Sequence, residues 1–338
     1  GVRPAGRARA FATLDVLNPS GNGDAISAKA QLAERGGNRL FRLGYAMPVG
    51  LQGTRASLSL ARVEYALGEP FEALGAQGVA DIVGASMVHP FVRSRNRNLY
   101  GLAAVEHKSL EDELTAVASV SKQTIRLLRL GLLGNAAWEP GPGTAFTSYA
   151  ATVATGHLGM DAVSQAADSG PGGLDAYGGF TKANLELQHT HGLGGPWSFH
   201  LSAQGQWAAS NLASAEKMTL GGPNGVRAYP AGEAAGDSGH LLTTELRYQL
   251  SGRPGEQSVP VTLAVFHDTG RVRLSQHPPA GTGRNHRWLA AAGLSVQAGQ
   301  PGDWLAAAAL AWRVGSEVPS GGEPDRSPRL WLTIQRWF

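Results

Sequence analysis

The sequence predicts an all-β fold, a transmembrane antiparallel β-barrel of about sixteen strands. Three observations carry that reading. Wherever periodicity is clear it repeats every two residues, with one apolar and one polar face, the mark of a strand. Gly- and Pro-rich breaks recur along the whole length, at 140–143, 170–173, 221–225, 278–283 and 319–324, as turns between strands require. The longest uninterrupted apolar run, Trp304 to Trp312, is nine residues. That is about half of what a helix needs to cross roughly 30 Å of hydrocarbon, so no transmembrane helix is expected.

Composition excludes several classes. The 338 residues include 46 Gly, 19 Pro and no Cys, with 29 Lys+Arg against 26 Asp+Glu and a net charge of +3. Glycine at about twice its usual share, without a three-residue period, is not collagen-like. Without Cys there is no disulfide framework, thiolate metal site or cysteine nucleophile. The mild charge, with no run of four Lys/Arg, leaves no footprint for nucleic acid. No composition shift or repeat divides the chain, so residues 1–338 read as one barrel domain. The chain opens on Gly1 with no signal-peptide pattern, so a processed or excised chain is expected.

In chain order, Ala8, Ala10, Ala12, Leu14 and Val16 form an apolar face against Arg7, Arg9, Thr13 and Asp15. The phase slips near Leu60 and Ala61, where a bulge is expected. Ala183, Leu185 and Leu187 oppose Lys182, Asn184, Glu186 and Gln188. Trp197, Phe199, Leu201, Ala203 and Trp207 then oppose Ser198, His200, Ser202, Gln204 and Gln206. Residues 191–196 between them read as a tight hairpin connection. Leu242, Leu246 and Leu250 alternate with Thr243, Glu245, Arg247 and Gln249. Weaker alternation covers 288–296 and 304–314.

A soluble sandwich would bury the apolar face, whereas a barrel in a membrane shows it to lipid and keeps the polar face around a wet lumen. Two features favour the barrel. The apolar face is rich in Ala and Gly with Trp at strand ends, as lipid-facing bands with interfacial girdles are. The polar face carries Arg, Lys, Glu and Gln in mid-strand, which a dry core would reject. Lipid offers no hydrogen-bond partner, so such a sheet must close. At roughly ten residues a strand, sixteen strands use about 160 residues and leave about 178 for connections. That arithmetic admits fourteen to eighteen.

In the last strand Leu330, Leu332, Ile334 and Phe338 alternate with Trp331, Thr333, Gln335 and Trp337, and the chain stops on the aromatic. Such an ending resembles the signal that outer-membrane assembly machinery reads, with Leu332, Ile334 and Phe338 as its carriers and Arg336 interrupting the row.

Residues 220–239 are too Gly-rich for a strand yet lie between two good ones, so they form a long loop. Here the chain resembles the two-partner secretion transporters, the TpsB proteins of the ShlB, FhaC and HecB type, relatives of BamA-type insertases. In that family a long extracellular loop folds into the lumen and carries a Val-Arg-Gly-Tyr/Phe tip. The matching residues are Val226, Arg227, Ala228 and Tyr229, preceded by Leu220, Gly221 and Gly222, with Ala228 in place of the usual Gly. Further on, Phe266, Asp268 and Gly270 resemble the family's Phe-x-Asp-x-Gly strand. Alternation with Val261, Leu263 and Val265 outward turns Asp268 into the lumen. The resemblance implies that Arg227 and Asp268 pair as a lock, and the Glu-Leu-Arg block that begins at Glu245 counts among the supporting family motifs. The blocks at 17–24, 45–50 and 89–99 follow in family order. Plug helix and POTRA domains, which the family carries upstream, are expected to lie outside this chain.

No catalytic constellation is recognisable: no Gly-x-Ser-x-Gly, His-Glu-x-x-His or P-loop occurs. His189 and His191 share a face but lack a third metal ligand. Glu233 and Asp237 are expected to solvate the loop. The resemblance implies an outer-membrane pore, and the missing motifs leave no enzyme, cofactor or metal to be expected. The pore would pass a large secreted TpsA-type exoprotein from periplasm to surface without ATP. Polar wall residues, among them Arg7, Arg9, Lys182, Glu186, Gln204, Gln206, Glu245 and Arg247, would keep the path hydrated. Other expected partners are outer-membrane lipid, lipopolysaccharide and the barrel assembly machinery, with no nucleic acid and a monomeric state. A BamA-like assembly factor is the alternative, and a passive porin a third reading.

Overall fold

A computed structural model of the protein describes residues 8–34, 37–66, 75–117, 119–139, 143–250, 259–320 and 326–338. Arg7, and residues 140–142 and 321–324 of two Gly/Pro breaks, lie outside them. Fifteen strands form one antiparallel sheet, each pairing with its neighbours in chain order. The first six are β1 (Arg9–Leu17), β2 (Ala25–Ala33), β3 (Asn38–Val49), β4 (Thr54–Ala66), β5 (Ala76–Arg93) and β6 (Arg97–Leu114). Then come β7 (Ser119–Trp138), β8 (Ala145–Met160), β9 (Gly178–Gly194) and β10 (Trp197–Ala208). After a long loop holding a small ribbon of β11 (Met218–Thr219) and β12 (Ala235–Gly236), the sheet resumes. It ends with β13 (Ser238–Leu250), β14 (Val261–Arg273), β15 (His286–Gln300), β16 (Trp304–Arg313) and β17 (Arg329–Arg336).

Among the described residues the ladder holds fifteen strands, several of them far longer than ten residues: β5 and β6 have 18 each and β7 has 20. With an odd number, β1 and β17 run in the same direction, and they are the two edges of the described ladder. Connections alternate in length. Those at one end are mostly short, as at 50–53, 195–196 and 301–303. Those at the other include 161–177, 209–237, 274–285 and 314–328. That asymmetry is the one outer-membrane barrels show between periplasmic turns and extracellular loops.

The outward face is a band of exposed apolar side chains, among them Leu43, Leu60, Val83, Leu130, Val153, Val265 and Leu294. The inward face meets the loops, and it is there that the buried residues gather. One cluster joins Leu220, Val226 and Tyr229 of the long loop to Leu241, Phe266, Leu289 and Ala311 of the wall. A second joins Leu212 and Ala213 at the loop's root to Ile125, Leu158 and Phe180.

Three local expectations need correction. No bulge interrupts β4: its register runs unbroken against both neighbours from Arg55 to Tyr65. Leu58 and Leu60 point outward, and the apparent slip arises because the inward row there holds apolar Ala61 and Val63. The bulges lie instead at Pro90/Val92 and Trp197/Ser198. The hairpin connection is also shorter than residues 191–196, since β9 continues to Gly194 and two residues turn the chain, with Gly194 and Gly195 at φ 97° and 58°. One helix, α1 (Ala162–Ser169), sits in the β8–β9 connection. Its N-cap Asp161 accepts from the Ser164 amide at 2.7 Å, and that bond holds the carboxyl below its usual range.

Candidate functional site: a loop locked inside the barrel

The loop between β10 and β13 turns into the barrel, and its tip is a hydrogen-bonded turn. The Val226 amide donates to the Leu220 carbonyl at 2.7 Å, and the Tyr229 amide to the Val226 carbonyl at 3.0 Å. Gly222 supplies a φ of 125°, and a Cβ on Gly221 would stand 2.2 Å from the Pro230 carbonyl oxygen. Gly270 of β14 leaves room for Leu220, whose Cδ2 lies 2.8 Å from where a Cβ would be. Ala228, central in the turn, needs no positive φ, so the departure from glycine costs the tip nothing.

Arg227 meets Asp268 through a two-pronged bond, Nε to Oδ2 at 2.9 Å and Nη2 to Oδ1 at 2.8 Å. Its backbone amide adds a third at 3.1 Å, and the Thr243 hydroxyl donates to the same carboxylate at 3.0 Å. The remaining Nη1 reaches Glu245 at 2.9 Å, and Arg247 holds the other oxygen of Glu245 at 2.7 Å. Two guanidinium groups thus balance two carboxylates. The face of Arg227 lies on the Phe266 ring, 3.3 Å from guanidinium carbon to centroid, a cation–π stack. Asp268 is fully buried and Arg227 nearly so. Burial alone would make Arg227 easier to deprotonate; Asp268 and Glu245 outweigh it and raise the pKa. The structure therefore brings together Val226, Arg227, Ala228, Tyr229, Leu220, Gly221, Gly222, Glu245, Phe266, Asp268 and Gly270. Leu332, Ile334 and Phe338 lie apart from them, exposed on the last strand.

Four anchors had no motif to announce them. The Trp331 indole on β17 donates to the Arg227 carbonyl at 2.7 Å. The Tyr229 hydroxyl donates to the Glu317 carbonyl at 2.9 Å, and burial pushes that phenol up to about 12. At the loop's root Glu216 is clamped between Lys108 of β6 at 2.6 Å and Lys182 of β9 at 2.9 Å. Burial opposes ionisation of Glu216, but Lys182 and Lys108 overcome it and hold the carboxyl below its usual range. Gln206 closes the root by donating to the carbonyls of Glu216 and Asp237, both at 3.0 Å.

Glu233 and Asp237 do not solvate the loop; both are buried and serve as fasteners. Glu233 accepts from Arg287 at 3.0 Å and from the Ser320 hydroxyl at 2.6 Å. Asp237 accepts from Lys217 at 2.5 Å and from the Gln276 amide at 2.7 Å. Likewise Lys182, Gln206 and Glu245, expected to line a hydrated path, are covered by the loop. His189 and His191 have ring centroids 6.0 Å apart on the outward face. No group of three metal-ligating residues occurs among the described residues.

The family model for the haemolysin secretion/activation proteins ShlB, FhaC and HecB matches residues 1–298. The chain belongs to this family. It is 30% identical over 271 residues to the heme/hemopexin transporter protein HuxB of Haemophilus influenzae, covering 80% of this chain and 46% of HuxB. The chain thus spans about half the length of that relative. Over 98 residues it is 33% identical to the outer membrane transporter CdiB of Escherichia coli, 29% of this chain and 16% of CdiB. In structure it is similar to CdiB of Escherichia coli, with a TM-score of 0.72 at 18% identity over 99% of this chain and 60% of that one. It is also similar to BamA of Haemophilus ducreyi lacking POTRA domains 1–3, with a TM-score of 0.64 at 14% identity over 96% of this chain and 67% of that one. These ShlB-type relatives are outer-membrane transporters of Gram-negative bacteria, and this chain is an outer-membrane β-barrel.

Proposed function

We propose that this barrel is the pore of a two-partner secretion transporter, through which a large secreted exoprotein of haemolysin or adhesin type reaches the cell surface. The observation that carries it is the Arg227–Asp268 lock, which holds a long loop inside the barrel by a charge pair shielded from water. In this state the loop fills the space that a passing chain would need, so export requires the loop to move or the chain to pass beside it. No bond is made or broken in that step. The barrel acts as a pore, not an enzyme, and folding of the exoprotein outside makes passage one-way without ATP. Its other partners are membrane lipid and the barrel assembly machinery, which reads Leu332, Ile334 and Phe338. It works as a single barrel without nucleic acid.

The BamA-like reading rests on a shared fold, whereas the ShlB-type reading rests on sequence along most of the chain. A passive porin has no use for a charge-locked loop. The test is secretion of the cognate exoprotein by the whole transporter carrying Arg227→Ala, with barrel folding followed by heat-modifiable gel mobility. Secretion should fall at least tenfold while the folded band persists. Unchanged secretion would refute the reading.

A further inference from the structure

The barrel carries a second ordered set of charges, on its outside. In the register of β6, β7 and β8, His107 lies opposite Arg126, and Arg126 lies opposite His157. All three side chains are exposed on the outward face. None takes part in an ion pair or side-chain hydrogen bond with a described residue, and the Tyr177 ring stands edge-on to His157 at 5.9 Å. Basic groups set directly opposite one another are unfavourable neighbours, and among the described residues none pairs with them.

Their position is informative. One step toward the short-turn end the same face holds Val105, Leu128 and Thr155, and the next step holds Ala103, Leu130 and Val153. One step the other way come Ser109, Thr124 and Gly159, then the Glu111–Lys122 ion pair. The basic row therefore stands where the apolar band stops. On β7 the other limit of that band is Trp138, twelve residues from Arg126 on the same face. At about 3.3 Å per residue that is about 40 Å along the strand. A tilt of about 40° reduces it to about 30 Å across the membrane, the thickness of the hydrocarbon layer. A second row, His240 opposite Arg271 opposite Trp288, has the same form on β13, β14 and β15. Both rows lie at the long-loop end, which faces the outer leaflet.

We propose that the His107–Arg126–His157 row binds the phosphate of a phosphorylated glycolipid headgroup in the outer leaflet. The Arg126 fork takes two phosphate oxygens and the two imidazoles add an N–H donor each, while Leu128, Leu130 and Val153 below meet the acyl chains. Charge complementarity and depth select this occupant: an anionic head fixed at the edge of an apolar tail fits a basic row fixed at the edge of an apolar band.

The test is native mass spectrometry of the full chain in detergent micelles. The micelles contain either bis-phosphorylated lipid A or the same lipid with its phosphates removed. The wild-type chain should retain the phosphorylated lipid at least fivefold better. Combined Arg126→Ala, His107→Gln and His157→Gln should abolish that preference, and Arg126→Lys should keep part of it. Heat-modifiable mobility reports folding of each variant, whose changes lie outside the lumen. His240→Gln with Arg271→Ala serves as the comparison at the second row. Equal retention by wild type and triple variant overturns the proposal, as does a preference lost in the His240/Arg271 variant and kept in the triple one. Competition by millimolar inorganic phosphate at an equal level would also overturn it, since the site would then hold free phosphate without a lipid.

Discussion

Asp268 is the residue on which the loop's tip depends, because it accepts two side-chain bonds and one amide from Arg227 while fully buried. Removing one partner of a buried pair leaves the other charge uncompensated, at a cost on the order of 3–5 kcal/mol. Asp268→Ala should therefore free the tip, and trypsin should cut after Arg227 at least a hundredfold faster than in the wild-type barrel. Arg227→Lys should also weaken the lock, because an ammonium cannot reproduce the fork or lie flat on Phe266. A Lys variant as protease-resistant as wild type would contradict this account. Glu216 gives a pH-dependent counterpart. Its carboxyl titrates below the ordinary glutamate value in the folded state, so it binds fewer protons than when released. Its contribution is complete above about pH 4.5 and is lost as pH falls through the lowered value. Amide-exchange protection of residues 214–219 should fall as the pH drops below about 4.5 in the wild type and be lower, with a shallower acid dependence, in Glu216→Gln.

Between strands, glycine positions the lock indirectly. Gly293 of β15 lies opposite Phe266 of β14, and a Cβ there would stand 2.4 Å from the ring and 2.2 Å from the Leu310 carbonyl oxygen. The Phe266 ring occupies the space that a side chain on Gly293 would fill, and Arg227 lies on that ring. Gly293→Ala should displace the ring at a cost of about 1–3 kcal/mol and reproduce the Arg227→Lys protease phenotype in milder form. Wild-type melting and proteolysis in that variant would remove the ring from the lock. The strands themselves were largely legible because each face meets a different solvent, and lipid against lumen writes alternation into the sequence. The misreading at Leu60 and Ala61 came where the inward face is itself apolar, so that contrast vanished. The tip was legible through its motif. The root was not: Glu216 meets a lysine 108 positions away on β6, and a single carboxylate without spacing leaves no trace in the sequence.

At the scale of the molecule, the lumen is a socket whose lining is neutralised by what sits in it. Loop carboxylates Glu216 and Glu233 meet wall cations Lys108, Lys182 and Arg287, and loop cation Arg227 meets wall carboxylates Asp268 and Glu245. In planar bilayers the wild-type barrel should show small openings, and Asp268→Ala should show larger and noisier ones as the tip leaves the path. Identical conductance would mean that the loop does not limit the pore. The bond from the Trp331 indole to the Arg227 carbonyl extends this further, because β17 is one edge of the described ladder. Tip and edge strand share a free energy, and such coupling is reciprocal. Whatever draws the loop away loosens the sheet's margin by the same amount that a loosened margin favours the loop's departure. A barrel wired this way cannot release its loop without its perimeter registering the change.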